Sequence, residues 1–221
     1  MKKIIRILLS MVIILGLVAC GNSASQSSKK ETTEKSSADA ESTDVSESQS
    51  EDTKESQVKG NKVLVVYFSA TNTTKGVAKH IANGLNADIY EIVPKDPYTD
   101  ADLDYDDNNS RSTLEMNDPD ARPAISGSVE NMKQYTIVFI GYPIWWGEAP
   151  RIINTFVESY DFSGKTIVPF CTSGGSGMGS SATNLEQLTS GAKWLSGRRL
   201  NGSDSQDTVM EWVNGLGLNL E

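Results

Sequence analysis

From Lys62 onward the chain alternates between continuous apolar runs and amphipathic stretches. Lys62–Phe68 is an almost unbroken run of β-branched and aromatic residues. That pattern predicts a strand buried on both faces of a parallel sheet. Thr73–Leu85 sets Val77, Ala78, Ile81, Ala82 and Leu85 on one side at helical spacing. Asp88–Val93 reads as a second strand closed by Pro94, Gln134–Tyr142 as a third, and Thr166–Cys171 as a fourth. A weaker fifth covers Ala192–Leu200. Between them, Pro150–Tyr160, Ser181–Leu188 and Ser205–Leu216 carry helical patterns, the first with proline in its opening turn. Strand–helix alternation with short connections predicts right-handed βαβ units. The expected fold class is therefore α/β, with five parallel strands in a doubly wound sheet and helices on both faces.

Two stretches break the alternation. Residues 95–133 are acidic and polar, with Asp100, Asp102, Asp104, Asp106 and Asp107 close together and a short helix expected near Ser112–Met116. No EF-hand fits this stretch, because the sixth-position glycine and twelfth-position glutamate are missing. A loop this long inside a compact domain is usually functional or mobile. The first sixty residues form the other. Met1–Arg6 is basic and Ile7–Ala19 apolar, a run too short to span a hydrocarbon core of about 30 Å. Leu17-Val18-Ala19-Cys20-Gly21 resembles the lipobox of bacterial lipoproteins. The resemblance implies a signal peptide over 1–19, lipidation of Cys20, and anchoring to the outer face of the bacterial cell membrane. Residues 20–60 are rich in Ser, Glu, Lys and Thr and hold too little apolar surface to fold, so they read as a disordered tether. The globular domain is expected over 61–221.

Charge narrows the function. Residues 61–221 hold 12 bases and 20 acids, which argues against a nucleic-acid partner. The whole chain has two cysteines and one histidine, too few for a disulfide framework or a His/Cys metal cage. Gly164-Lys165-Thr166 looks like the tail of a phosphate-binding P-loop, but it leads into a strand instead of following one.

The chemistry is expected in three loops at the carboxyl ends of strands, where open α/β sheets bind ligands. The first, Ser69-Ala70-Thr71-Asn72-Thr73-Thr74, offers four hydroxyls and the free N–H groups of a helix start. That is a phosphate site made of neutral donors and a helix dipole. The second, Tyr142-Pro143-Ile144-Trp145-Trp146-Gly147-Glu148, puts two adjacent tryptophans at a loop tip, where they expose apolar area unless they stack on something. The third, Thr172-Ser173-Gly174-Gly175-Ser176-Gly177, has glycines that let the backbone approach a flat ligand.

Together these loops resemble the flavodoxin family, over about Lys62–Leu216. The resemblance implies a strand order of 2-1-3-4-5 and an FMN site. It assigns the phosphate to Ser69, Thr71, Thr73 and Thr74, and flavin stacking to Trp145 or Trp146. The flavin N5 edge falls to the backbone after Pro143, from Ile144 to Gly147, and the pyrimidine edge to Thr172, Ser173, Gly174, Gly175, Ser176 and Gly177. The first loop departs from the usual Ser-x-Thr-Gly-Asn-Thr. Asn72 stands in place of glycine, and asparagine is the non-glycine residue best suited to a left-handed backbone. No residue is assignable as a general acid or base, and no metal ligand set is present. The function implied is electron transfer with a redox partner, or NAD(P)H-dependent reduction of a small acceptor such as a quinone. A lipoprotein that binds a phosphorylated ligand without redox chemistry is the alternative. Lys75 is the only base beside the first loop, and Arg198-Arg199 reads as an ordinary charge pair on an edge strand.

Overall fold

The structure, a computed structural model, describes residues 60–220. The expected signal peptide over 1–19, the lipidation site Cys20 and the tether that follows it lie outside the described residues. In chain order the elements are β1 (Val63–Tyr67), α1 (Thr73–Leu85), β2 (Asp88–Glu91), β3 (Val93–Pro94), α2 (Arg111–Asn117), β4 (Ile125–Ser126) and β5 (Ile137–Pro143). They continue with α3 (Arg151–Glu158), β6 (Thr166–Thr172), α4 (Ser181–Glu186), β7 (Lys193–Trp194), β8 (Arg198–Leu200) and α5 (Gln206–Asn214). The main sheet runs β2-β1-β5-β6, with β7 and β8 both paired to the outer edge of β6, and every pairing is parallel. With β7 and β8 as two halves of one strand, this is the expected order 2-1-3-4-5.

The apolar runs are continuous because both sheet faces are covered. On one face Leu64, Val66, Phe68, Val138, Ile140 and Tyr142 pack with Ile152, Ile153, Phe156 and Val157 of α3 and Leu185 of α4. On the other, Val63, Val65, Tyr67, Phe139, Val168 and Phe170 pack with Val77, Ala78 and Ile81 of α1 and Val209, Trp212 and Val213 of α5. Each large side chain buried this way contributes about 1.5–3 kcal/mol.

The fifth strand is not continuous, and Pro169 explains why. The register pairs Ile167 with Trp194 and Phe170 with Arg198. Two residues of β6 therefore face three on the other side, a bulge opposite a proline that has no N–H to give. A Cβ on Gly197 would fall 2.5 Å from the Pro169 carbonyl, so the bulged strand closes up only with glycine there.

Residues 95–133, expected to be largely irregular, are built and anchored. β3 leaves the main sheet and pairs antiparallel with β4. Ser110 caps α2, accepting the Thr113 N–H. Arg111 lies over the Tyr98 ring, 4.1 Å from its centroid, and donates to Glu115 at 2.7 Å. Tyr98 donates to the same carboxylate at 2.5 Å. Arg122 forms a two-point bond with Glu158 of α3, 2.7 Å at each point. Arg151 donates to the Met116 and Asp118 carbonyls. The buried Lys165 donates to the Met132 and Tyr135 carbonyls, so the lysine of the P-loop look-alike closes the far end of this segment.

Candidate functional site

Three loops meet at the carboxyl ends of β1, β5 and β6. The first turns on Asn72, whose φ of 63° is left-handed and aims the backbone into α1. Ser69 Oγ accepts the Lys75 N–H at 3.2 Å, and the exposed Thr71 and Thr73 hydroxyls lie 3.2 Å apart. Among the described residues the amides of Thr71, Asn72, Thr73 and Thr74 have no protein acceptor. Free N–H groups at a helix start suit an anion. Thr74 differs from the expectation. It is buried, and its hydroxyl bonds Thr172 Oγ1 at 2.8 Å. The pair rivets the first loop to the end of β6, so neither side chain faces a ligand.

The lysine beside this loop is paired. Lys75 Nζ lies 2.8 Å from Glu91, which also accepts the Tyr67 hydroxyl at 2.8 Å. Burial pushes the Glu91 carboxyl upward, but the bonds from Lys75 and Tyr67 outweigh it and hold the group below its ordinary value. The phosphate-type site is neutral apart from the helix dipole.

The second loop is a tight turn. Trp145 and Glu148 exchange N–H···O bonds at 2.9 Å in both directions, with φ of 47° at Trp146 and 80° at Gly147. Positive φ at both central residues is the type I′ geometry, natural for glycine and strained by about 1–3 kcal/mol for tryptophan. The strain holds one indole out of the fold: Trp146 is 45% exposed and Trp145 2%. Of the two expected stacking residues, the structure puts Trp145 in the core. Its ring lies edge-on to Phe68 at 5.6 Å and to Tyr98 at 5.3 Å. Trp146 has the open face, and its amide and that of Gly147 lack a protein acceptor among the described residues. Glu148 accepts from Ser180 at 2.7 Å and from Asn184 at 2.8 Å, binding this turn to the start of α4. Pro143 ends β5, and the Ile144 N–H bonds the Thr172 carbonyl at 2.9 Å.

In the third loop, Ser173 Oγ accepts from the Gly175 N–H and donates to the Ser176 carbonyl. A Cβ on Gly174, Gly175 or Gly177 would meet no protein atom within 4 Å. The chain's own packing therefore does not demand glycine there. Cys171, just before the loop, is fully buried, and burial pushes its thiol up to about 12 against the pull of Arg199. It is a packing thiol.

Three parts of this region were absent from the expected site. Tyr105, in the acidic segment, is 55% exposed and lies 5.1 Å from the Trp146 ring. A lone aromatic inside Asp100–Asp107 was the available signal. Arg199 is a correction: it is no ordinary edge charge, but donates to Ser173 Oγ at 3.0 Å and to the Ser173 carbonyl at 3.3 Å. A fourth loop follows β8, where Gly202 lies so close to Thr73 that a Cβ would fall 2.5 Å from its methyl group. The fifth strand ends at the same carboxyl edge as the others, which could have brought both Arg199 and this loop into view.

Cavity volume points elsewhere. A cleft of about 490 Å³ opens at the amino ends of the strands, lined by Asn61, Thr136, Gly164, Lys193 and Asn219 among others. Beside the first loop lies a groove of about 160 Å³, walled by Phe68, Ser69, Glu91 and Tyr98 among others. None of the residues lining the first cleft is aromatic, whereas the loops set an exposed indole beside free amides, so chemistry favours the loops over volume.

The flavodoxin family model matches residues 62–216. A candidate flavoprotein from Bacteroides eggerthii DSM 20697 is 48% identical with a TM-score of 0.67, over 71% of this chain and 98% of that one. One from Bacteroides uniformis ATCC 8492 is 47% identical with a TM-score of 0.67, over 70% and 99%. A Lactobacillus acidophilus NCFM flavoprotein, crystallised in complex with FMN, is 20% identical with a TM-score of 0.53, over 69% and 99%, and shares the fold. No curated protein matches the chain. The chain belongs to the flavodoxin family.

Proposed function

We propose that this flavodoxin-family chain binds FMN at the carboxyl edge of its sheet and moves electrons from a redox partner or NAD(P)H to a small planar acceptor such as a quinone. The carrying observation is the donor set: amides without acceptors at Thr71–Thr74, Trp146 and Gly147, beside one strained, exposed indole. A phosphate monoester with a flat ring system matches both halves. An apolar ligand leaves the amides unpaired, and a simple phosphate leaves Trp146 exposed.

Bound FMN supplies the redox chemistry. The chain supplies position. The first-loop amides and the Ser69, Thr71 and Thr73 hydroxyls hold the phosphate, and the Thr74–Thr172 bond keeps that loop at a fixed distance from the third. Trp146 covers one ring face. The amides of Trp146 and Gly147 hold the central ring edge, and residues 173–177 hold the pyrimidine edge. The Glu148 carboxylate is committed to Ser180 and Asn184, so it orients the turn and does not act as a base.

The lipobox adds membrane tethering through Cys20. Cys20→Ser is expected to leave an unlipidated precursor, read by mass and by loss of detergent partitioning; normal processing of this variant removes the tether. For the cofactor, FMN is titrated into the purified chain, followed by NADH and NADPH oxidation with and without a quinone. A yellow, saturable complex supports the reading. A chain that takes up no FMN yet binds other phosphorylated ligands points to the non-redox alternative.

A further inference from the structure

The third loop hangs on one side chain. Arg199 stands opposite Cys171 in β8 and donates to Ser173 Oγ at 3.0 Å, to the Ser173 carbonyl at 3.3 Å and to Asn201 Oδ1 at 3.0 Å. Ser173 Oγ in turn bonds Gly175 and Ser176. One guanidinium thus fixes the glycine loop and joins it to the fourth loop, whose Gly202 rests on Thr73.

Its charge is as informative as its geometry. The ion pairs among the described residues are Lys62–Asp88, Lys75–Glu91, Arg111–Glu115 and Arg122–Glu158. Lys75 at the phosphate end is therefore neutralised, while every hydrogen-bond partner of Arg199 is a neutral group. A guanidinium keeps its proton under all ordinary conditions. It also withdraws electrons from the Ser173 carbonyl, which strengthens the Gly174 N–H of the same peptide as a donor. That amide has no protein acceptor among the described residues.

We propose that Arg199 is a positioning residue that also sets the charge at the pyrimidine end of the site, so that the two-electron potential of the flavin lies higher than this chain would set without it. This rests on the FMN reading above. The step is the two-electron reduction of FMN. A reductant of the dithionite class gives up two electrons and ends as two bisulfite ions, while the flavin takes both electrons and one proton. The product carries one more negative charge than FMN, on the pyrimidine ring. A cation held under the loop that binds that ring attracts the charge across a partly desolvated gap. With Lys75 as the only base considered, an acidic domain predicts a reduced flavin that is disfavoured. Arg199 works against that trend.

The test measures the dissociation constant for oxidised FMN and the two-electron midpoint potential in wild type, Arg199→Gln, Arg199→Lys and Ser173→Ala. Arg199→Gln is expected to raise the ratio of reduced to oxidised dissociation constants about tenfold, a fall of about 30 mV for a two-electron couple. Arg199→Lys keeps the charge and loses the fork, so oxidised FMN binds more weakly while the potential stays within about threefold of that ratio. Ser173→Ala removes the bond and keeps the charge, with the same expectation. If Arg199→Gln weakens both forms equally, or if Arg199→Lys or Ser173→Ala lowers the potential by the full tenfold, loop geometry is the agent and the proposal is overturned. A wild-type chain that takes up no FMN overturns the parent reading, and this one with it, before any variant is made.

Discussion

The two ends of the site are built in opposite ways. The phosphate end is local: six consecutive residues, Ser69–Thr74, supply the turn, the hydroxyls and the free amides, and the adjoining helix supplies the dipole. The ring end is assembled from distant pieces. Trp146 comes from the loop after β5, Tyr105 from the inserted segment, and Arg199 from β8 beyond a bulge. Electrostatics divide the same way. The local end cancels Lys75 against Glu91 and relies on dipoles, whereas the assembled end keeps one guanidinium without a carboxylate partner among the described residues. A dianion anchored by neutral donors is held without a net charge. A ring whose charge changes on reduction is placed where a full charge acts on it.

The widest contrast to test is between two adjacent residues. Trp145→Ala removes a ring buried against Phe68 and Tyr98 and is expected to lower stability by about 3–5 kcal/mol. Trp146→Ala is expected to leave the melting transition nearly unchanged and to weaken FMN instead. Denaturant titrations of both variants decide the assignment: equal losses would mean that the exposed indole is a core residue after all.

Next in size is the phosphate end itself. Riboflavin is expected to bind about 2–4 kcal/mol more weakly than FMN, because hydrogen bonds to a charged acceptor are worth about 1.5–3 kcal/mol each. Equal affinities by calorimetry would dissolve the two-ended description. The ring end follows, with Trp146→Ala weakening FMN by about 1.5–3 kcal/mol, the worth of burying one large apolar side chain. Tyr105→Ala should cost about 0.5–1.5 kcal/mol, the worth of one aromatic pair. Tyr105→Phe keeps the ring and should bind like wild type; a loss equal to that of alanine would assign the role to the hydroxyl.

Legibility in the sequence follows the same division. The α1 boundaries are as expected, Thr73–Leu85, because apolar spacing and the turn at Asn72 agree. The left-handed backbone at Asn72 was implied by the glycine that the family usually has there, which asparagine replaces best. The three loops were legible because each directly follows a strand with a strong apolar run. Arg199 was not, since β8 has only Leu200 buried and the bulge that aims it depends on Pro169 one strand away. Apart from α2, expected near Ser112–Met116 and found at Arg111–Asn117, the inserted segment was opaque for a related reason. Its folding depends on Arg122 reaching Glu158 of α3 and on Arg151 of α3 reaching back to the Asp118 carbonyl, contacts between residues 36 and 33 positions apart. Polar contacts over such separations leave no periodicity to read.

The smallest effect tests the claim that the phosphate end is neutral by cancellation. Glu91→Gln keeps the side-chain length and removes the charge, so Lys75 loses its ion pair and can turn toward the phosphate. The pair is about one-third exposed on each side, with relative exposures of 31% and 35%, so its own worth is under about 1 kcal/mol. FMN is expected to bind a few-fold more tightly to Glu91→Gln, with a steeper loss on adding salt, because a cation facing a dianion near the surface is screened. Riboflavin, without the phosphate, is expected to bind both proteins alike. The pH response carries the matching sign. The folded Glu91 carboxyl lies below its ordinary value, so its contribution to stability is full above the unfolded carboxyl's pKa and fades as pH falls through the folded one. In that acid range the stability difference between wild type and Glu91→Gln is expected to narrow. FMN affinity that is unchanged in Glu91→Gln at low salt would mean that Lys75 does not reach the phosphate even when released, and that the neutrality of this end comes from distance and not from pairing.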